Sequence, residues 1–338
     1  MSNVRQVLRQ SAIVLVVGVA LAASFVGAFH DPRPHGMPVG VVGPASRVTR
    51  LQTAAAAHDP GALSIHRYPT ATAAVAAIEH RRIDGAVVLG QSRAQRLVAS
   101  AAGSQTVQTM QRAFTSASLR APVSTHDLAP LPVADRDGLG PFLFVLTLVI
   151  PSLLLGVALT VGDKNISVAA CLAGAAAFAI VLGLLDALVS DVVYRALGGG
   201  YLQLAGLGML ISFVASSVTI GLGRLLGPAG LVLTAIGLVI VGVPASGAAV
   251  GPAFVPSFFS ALHPILPTGQ ALDAVRNAVY FSGHATWDKL GLLGGWALLG
   301  VITAAIGARW SLPAMVARRA RMAGPIRVGA NSSTMAEA

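Results

Sequence analysis

The sequence has little charge and a single cysteine. Only 11% of its residues are charged and 54% are hydrophobic, whereas soluble domains carry about a quarter charged residues. This composition excludes an ordinary soluble protein and predicts an integral membrane protein. Because Cys171 stands alone, no disulfide within the chain stabilises any part of it.

Lysine is also scarce, and its positions exclude one class of ATP site. A phosphate-binding P-loop needs Gly-x4-Gly-Lys followed by Ser or Thr, but Lys164 is followed by Asn165 and Lys289 by Leu290. We therefore expect no nucleotide site of this kind and no cofactor. The net charge of +10 does not indicate nucleic acid as a partner, since no basic stretch is interleaved with aromatic residues.

Long apolar runs are what the sequence has instead. A helix that crosses a bilayer needs about 20 apolar residues, and residues 12–29 form such a run after a short N-terminus, residues 1–11. A cleaved signal peptide is the alternative for this run. Further runs cover roughly 141–162, 168–190, 201–223, 229–250 and 289–308. The predicted fold class is an α-helical integral membrane protein with six transmembrane helices, arranged as one plus five.

Residues 30–140 predict a small α/β domain between the first and second transmembrane helices. Strand-like runs at 37–44, 61–68 and 83–90 alternate with helical runs at 46–58, 70–82 and 92–103. Strands that alternate with helices favour a mostly parallel sheet.

Positive charge in the short loops predicts the orientation. Arg5, Arg9, Lys164, Arg224 and the basic tail, residues 309–338, fall on one side if the spans alternate. Since this side is normally cytoplasmic, we expect both termini in the cytoplasm and the α/β domain outside it. The preference for Arg over Lys, with abundant Ala and Gly, indicates a GC-rich bacterial coding sequence and hence the bacterial plasma membrane.

The stretch HPILPTGQALDAVRNAVYF, residues 263–281, interrupts the apolar half. Pro264 and Pro267 break the helix, Thr268 is a candidate N-cap, and Asp273 and Arg276 are spaced to pair. We predict a re-entrant or interfacial element over residues 251–287 that closes the outer mouth of a pathway. The alternative is an ordinary interfacial helix anchored by Tyr280 and Trp287.

Other polar residues are weaker candidates for a site. Asp186 lies inside a predicted span, where it either lines a polar path or reaches interfacial water. Ser246 with His263 or His284 could suggest an intramembrane serine protease, but a small-residue helix contact is the better interpretation. The HDPRPH stretch could suggest a metal site, but its proline spacing favours a linker.

Three stretches in order, HDPRPHGMPVGVVGP, RRIDGAVVLG and LPTGQALDAVRNAVYFSG, resemble the YhgE/Pip (phage infection protein) branch of the ABC-2 type transporter permeases. The resemblance covers residues 1–310. It implies an export permease formed by residues 141–308 that dimerises in the lipid bilayer and moves an apolar or amphipathic substrate outward. It also implies that a separate ABC ATPase subunit binds and hydrolyses the ATP.

The inner loop that carries Asp163 and Lys164 is the candidate contact for such an ATPase. It is the first short inner connection of the five-helix bundle and contains its one cytoplasmic-loop lysine. Asp186, Asp273 and Arg276 are the candidate pathway or gate residues. A membrane receptor or scaffold whose outer domain binds a partner is the competing hypothesis, and a membrane enzyme comes third.

Overall fold

A computed structural model describes residues 2–115, 119–162, 166–248 and 250–322. The chain begins with α1, Ser2–Phe29, a single uninterrupted helix. Val14, Leu15 and Val19 are among its exposed apolar side chains. Near its C-terminal end, the Ser24 hydroxyl donates a hydrogen bond to the Ile240 carbonyl.

The α/β domain, residues 30–139, follows. Its elements are β1 Met37–Val42, α2 Ala45–His58, β2 Leu63–Tyr68, α3 Ala71–Glu79, β3 Gly85–Leu89, β4 Ala94–Val98, α4 Ser104–Ala113 and β5 Val123–Asp127, with 3₁₀ turns at Ser100–Ala102 and Val133–Asp135. The strands form one sheet in the order β2-β1-β3-β4-β5. Every neighbouring pair is parallel except β3 and β4, so the prediction of a small, mostly parallel sheet is confirmed.

One element of this domain was wrongly predicted. Residues 92–103 read as a helix because Ala, Gln, Arg and Leu favour that state, but the structure forms β4 and a 3₁₀ turn there. The β4 strand pairs antiparallel with β3 through a short hairpin, in which Gly90 N donates to Arg93 O at 3.0 Å. Tertiary pairing outweighs the local propensity.

The sheet carries a hydrophobic core on each face. Ala86 and Leu97 pack with α3 residues Ala77 and Ile78 on one face, and their neighbours Val87 and Val98 face Met110 of α4 on the other, as strand alternation requires. Each core also receives a phenylalanine from the C-terminal half of the chain, Phe281 in the first and Phe254 in the second. The α/β domain is therefore packed directly against the helical part.

The helical domain, residues 140–322, comprises α5 Gly140–Val161, α6 Val168–Ala187, α7 Tyr201–Leu226, α8 Pro228–Ala235, α9 Gly242–Ala245, α10 Ser257–Leu262, α11 Pro267–Tyr280 and α12 Thr286–Met322. The α6 helix continues as a π-helix over Leu188–Val193, and a π-helix over Ile236–Ile240 joins α8 to α9.

Within the described ranges, five helices are long and apolar enough to cross a membrane, as in a multi-pass membrane protein. They are Gly140–Val161, Val168–Val193, Tyr201–Leu226, Pro228–Ala245 and Thr286–Arg309, and they coincide with the five C-terminal spans that the sequence predicts. The apolar part of α1, Val14–Phe29, is shorter, so a sixth span stays a prediction.

Helix α7 lies at the centre of this bundle, because 78% of its 18-residue apolar segment is buried inside the protein. Small residues let its neighbours approach closely: a Cβ added at Gly300 of α12 would lie 2.7 Å from the Ser217 carbonyl carbon. A buried hydrogen bond of 2.7 Å joins Ser152 of α5 to Ser212 of α7. Close helix contacts and hydroxyl bonds thus hold the spans together.

The π-helix over Ile236–Ile240 supplies carbonyl groups to two other helices. Its own backbone bond runs from Val241 N to Ile236 O at 2.8 Å. The Leu238 carbonyl accepts a hydrogen bond of 2.8 Å from Thr268 of α11, and the Ile240 carbonyl accepts the bond from Ser24 of α1. Both α1 and α11 are therefore attached to this segment.

Candidate functional site

Helix α11 is short, polar and deeply buried. Every residue from Pro267 to Asn277 is buried, although α11 is not one of the five long apolar helices. A helix that lies in a membrane surface keeps one polar face in water, and α11 has none. This burial disfavours the interfacial-anchor alternative, but Trp287 lies beyond α11 with 82% of its surface exposed and is free to lie at an interface, so the choice between the two interpretations stays a prediction.

The start of α11 differs from the sequence prediction. Pro267 is the first helical residue and Leu266 the N-cap, which suits proline because the first helical N–H has no partner in the helix. Thr268 is therefore not the cap. Its hydroxyl donates to the Leu238 carbonyl instead and fixes α11 to the preceding span.

Asp273 is the centre of a buried ion cluster. Its Oδ2 lies 3.0 Å from His263 Nε2 and 3.2 Å from Lys289 Nζ, and its Oδ1 lies 3.6 Å from Arg81 Nη2. Burial by itself would raise the pKa of Asp273, but the hydrogen bond from His263 and the charges of His263, Arg81 and Lys289 hold it well below its usual range. The carboxylate is ionised at neutral pH.

Arg276 is not an ion-pair partner of Asp273 within the described ranges, so the predicted pairing of these two residues is wrong. Its Nη2 donates to the Ala248 carbonyl, and its surface is 1% exposed. Burial lowers the pKa of Arg276 to about 10, and repulsion from Arg81 adds to the shift, while Asp273 acts in the opposite direction. The guanidinium is still charged at pH 7, since this pKa lies well above neutral pH.

Several buried polar atoms around Arg276 have no hydrogen-bond partner among the residues that the structure describes. They are Arg81 Nη1, Asp273 Oδ1, Arg276 Nε and Nη1, Asn277 Oδ1 and Thr286 Oγ1. Leaving such a group unpaired costs about 1–3 kcal/mol, and buried polar groups in folded proteins are normally bonded to protein or water. This region is therefore suited to hold water or polar groups of a ligand.

The α/β domain covers this cluster. Arg81 adopts a left-handed backbone conformation with φ of 57°, and its guanidinium lies 4.9 Å from the centre of the Phe281 ring. The rings of His80 and His284 are 4.8 Å apart in an edge-to-face arrangement. These contacts join the turn after α3 to the segment after α11.

A second contact between the two parts involves Asp135. It accepts hydrogen bonds from Leu139 N and Gly140 N, at 2.9 and 2.8 Å, at the start of α5, and one of 3.1 Å from the Tyr280 hydroxyl. Burial raises the pKa of Tyr280 above its usual range, and the Asp135 charge and hydrogen bond raise it further. The tyrosine therefore stays a neutral donor.

The other predicted site residues lie elsewhere. Asp186 on α6 accepts from the Thr147 hydroxyl of α5 at 3.0 and 3.2 Å, and no described contact connects it to the Asp273 cluster. Asp163 and Lys164 lie outside the described residues. Beside that loop, Arg224 Nη2 donates to the carbonyls of Leu159 and Ile166 at 3.4 Å.

The histidines do not form a base for Ser246 in this arrangement. His263 Nδ1 lies 3.0 Å from the Ala245 carbonyl and Nε2 lies 3.0 Å from Asp273, so both ring nitrogens face oxygen acceptors. Ser246 donates to the Val243 carbonyl at 2.6 Å, as a helix residue commonly does.

Sequence reasoning identified Asp273 and Arg276 but missed Arg81, His263, Lys289 and Asp135 as members of the site. These four come from four separate segments of the chain. The one local signal is that His263 lies four residues before α11 and Lys289 lies in the first turn of α12, the next helix.

Comparison with known proteins gives no relative: no family model, curated protein or solved structure matches the chain.

Proposed function

We propose that the chain is the membrane subunit of an exporter, an ABC-2 type permease that moves an apolar or amphipathic substrate outward while a separate subunit hydrolyses ATP. The buried ion cluster on α11 is the observation that carries this proposal. A helix that serves only as an anchor needs no buried Asp, Arg and Asn, whereas ionisable groups held inside a membrane bundle commonly mark a pathway. The three-stretch resemblance supports the same function.

In this proposal α11 is the gate at the outer mouth. It contacts α5, α7, α9 and α12, so a shift of α11 changes the spacing of several helices together. Opening breaks the ion pairs of Asp273, and water that enters then solvates the charges and the unpartnered atoms of Arg276 and Asn277, which offsets part of the cost.

The same proposal includes the lipid contacts of the chain and its orientation in the membrane. The exposed apolar side chains of α1 and α6 suit contact with lipid or with a second permease copy. Both termini then lie in the cytoplasm of a bacterium, and the α/β domain lies outside the plasma membrane. The Asp163–Lys164 loop contacts the ATPase.

Transport by inverted membrane vesicles tests the gate. Vesicles that contain the chain and its ATPase should accumulate a fluorescent phospholipid analogue when ATP is added. Asp273→Asn should abolish most of this uptake at equal protein level, because it removes the counter-charge of Arg81 and Lys289. Asp288→Asn, on an exposed carboxylate at the start of α12, is the matched control and should transport normally. Uptake that needs no ATP, or an unaffected Asp273→Asn variant, contradicts the proposal.

A receptor is the second candidate. The α/β domain folds around hydrophobic cores on both faces of its sheet, so it can present a defined surface to a partner. A receptor should keep its partner binding in the Asp273→Asn variant and show no ATP-dependent uptake. This pair of results distinguishes the two functions.

A further inference from the structure

An open pocket of about 530 Å³ lies in the α/β domain between α2 and α4. Its apolar lining includes Leu51, Ala54, Ala55, Ala62, Leu63 and Phe114. This volume lies within the range of about 300–1,000 Å³ that small-molecule sites occupy. The pocket is separate from the Asp273 cluster in its residues, and the gate does not use it.

The pocket exists because small side chains face each other there. Helices α2 and α4 cover the same face of the sheet, where Leu51 and Met110 join one core. Ala54 and Ala55 of α2 and Ala113 of α4 border the space between the helices. The alanine methyl groups are too short to fill this space, so an acyl chain can lie between the two helices, in contact with Leu63 and Phe114.

The charged residues in the described lining of the pocket are one acid and one base, Asp59 and Arg112. Both are exposed, and the Asp59 carboxylate forms no ion pair in the described part of the chain. Among the residues that the structure describes, Arg112 Nη2 donates one long hydrogen bond, of 3.4 Å, to Gln108. Since α2 ends at His58, its C-terminus also favours a cation beside Asp59. The C-terminus of α4 at Ala113 disfavours an anion, so a phosphate there depends on the charge of Arg112. This arrangement complements a zwitterion, with an ammonium group at Asp59 and a phosphate at Arg112.

The pocket also lies close to the end of α1. Pro34 contributes to its lining and is five residues beyond Phe29, a distance of at most about 17 Å along an extended chain. His35 N donates to the Ala253 carbonyl at 2.8 Å, which ties this linker to the helical domain. If α1 crosses the bilayer, a membrane amphiphile reaches the pocket directly.

We propose that this pocket binds an acyl chain and the headgroup of a phosphoethanolamine phospholipid. The proposal rests on the proposed function in that it gives the exporter a holding site for an amphipathic substrate. Its test, however, needs neither ATP nor transport.

Photolabelling of the full chain in nanodiscs tests this inference. The probe is a phosphatidylethanolamine with a diazirine in its acyl chain, and labelled peptides are mapped by mass spectrometry. Labels should fall within residues 51–63 and 109–114, and excess unlabelled lysophosphatidylethanolamine should compete. Labelling confined to other surfaces, or labelling that does not saturate, overturns the proposal.

Variants test the two parts of the lipid separately. Ala55→Trp fills the pocket and should remove labelling there, whereas Ala56→Trp, on an exposed position of the same helix, should not. Asp59→Asn and Arg112→Gln should each weaken competition by roughly tenfold, the effect of one lost charged contact. A phosphatidylglycerol probe that labels the pocket equally well overturns the headgroup assignment. A chain that is labelled as expected but does not transport keeps this site and loses the exporter function.

Discussion

Replacing Asp273 by Asn tests whether the ion cluster holds α11 in place. The substitution keeps the side-chain volume but leaves the cations of Arg81 and Lys289 without a counter-charge. Lys289 Nζ lies 3.2 Å from Asp273, and its side chain is 24% exposed. With an effective dielectric constant between about 40 and 80, that pair contributes about 1–2.5 kcal/mol. Because the carboxylate has several partners, its loss should cost about 3–5 kcal/mol.

The assay is unfolding of the purified chain by SDS in mixed micelles, with a double-mutant cycle. Asp273→Asn and Lys289→Met should show a coupling free energy of about 1–2.5 kcal/mol. The cycle of Asp273→Asn with Arg276→Met should give a smaller coupling, because no described ion pair joins these residues. Asp288→Asn should change stability by no more than about 0.5 kcal/mol. An Asp273→Asn variant as stable as the wild type, or equal coupling in both cycles, would refute the reasoning.

Three further predictions concern packing, pH and orientation. Gly300→Ala should destabilise the chain by about 1–3 kcal/mol, because its Cβ would meet Ser217 and Val218 of α7, whereas Gly295→Ala, with open space around it, should be neutral in the same SDS assay. The pKa of Tyr280 is raised in the folded state. Its contribution to the stability of the folded chain is therefore present below a pH of about 10 and is lost as the pH rises further. Tyr280→Phe should flatten the alkaline fall in melting temperature, and an unchanged profile would contradict this. In a Cys171→Ala background, cysteines at Tyr194 and Trp287 should react with an impermeant thiol reagent in intact cells, while cysteines at Ile166 and Leu226 should not; the reverse pattern would overturn the orientation.

The five long spans could be predicted because the signal is local. Length and hydropathy of each run decide whether it can cross a bilayer, and the observed helices match within a few residues. The same holds for β1, β2 and β3, whose apolar runs are bounded by turn residues. In contrast, β4 forms because it pairs with β3. The local pattern of Ala, Gln and Arg does not predict this pairing.

The candidate site shows a similar limit. The sequence marks α11 as unusual through Pro267, Asp273 and Arg276, and this part was predicted. Its amphipathic pattern suggests a face in water, but the α/β domain covers that face, and Arg81 approaches from a turn far away in the chain. Which cation meets Asp273 depends on how two domains pack, so spacing within α11 could not decide it.

The π-helix over Ile236–Ile240 fixes the number of residues that its span can contain. A π turn amounts to one extra residue in a regular helix. Deleting Gly237, which has open space around it, would close this turn to regular α geometry and so change the direction of its carbonyls, while the helix on either side would keep its phase. The carbonyls of Leu238 and Ile240 could then no longer meet Thr268 and Ser24 together. We therefore expect this span, unlike the surface loops, to tolerate no change in residue count, since one missing residue would detach both α1 and α11.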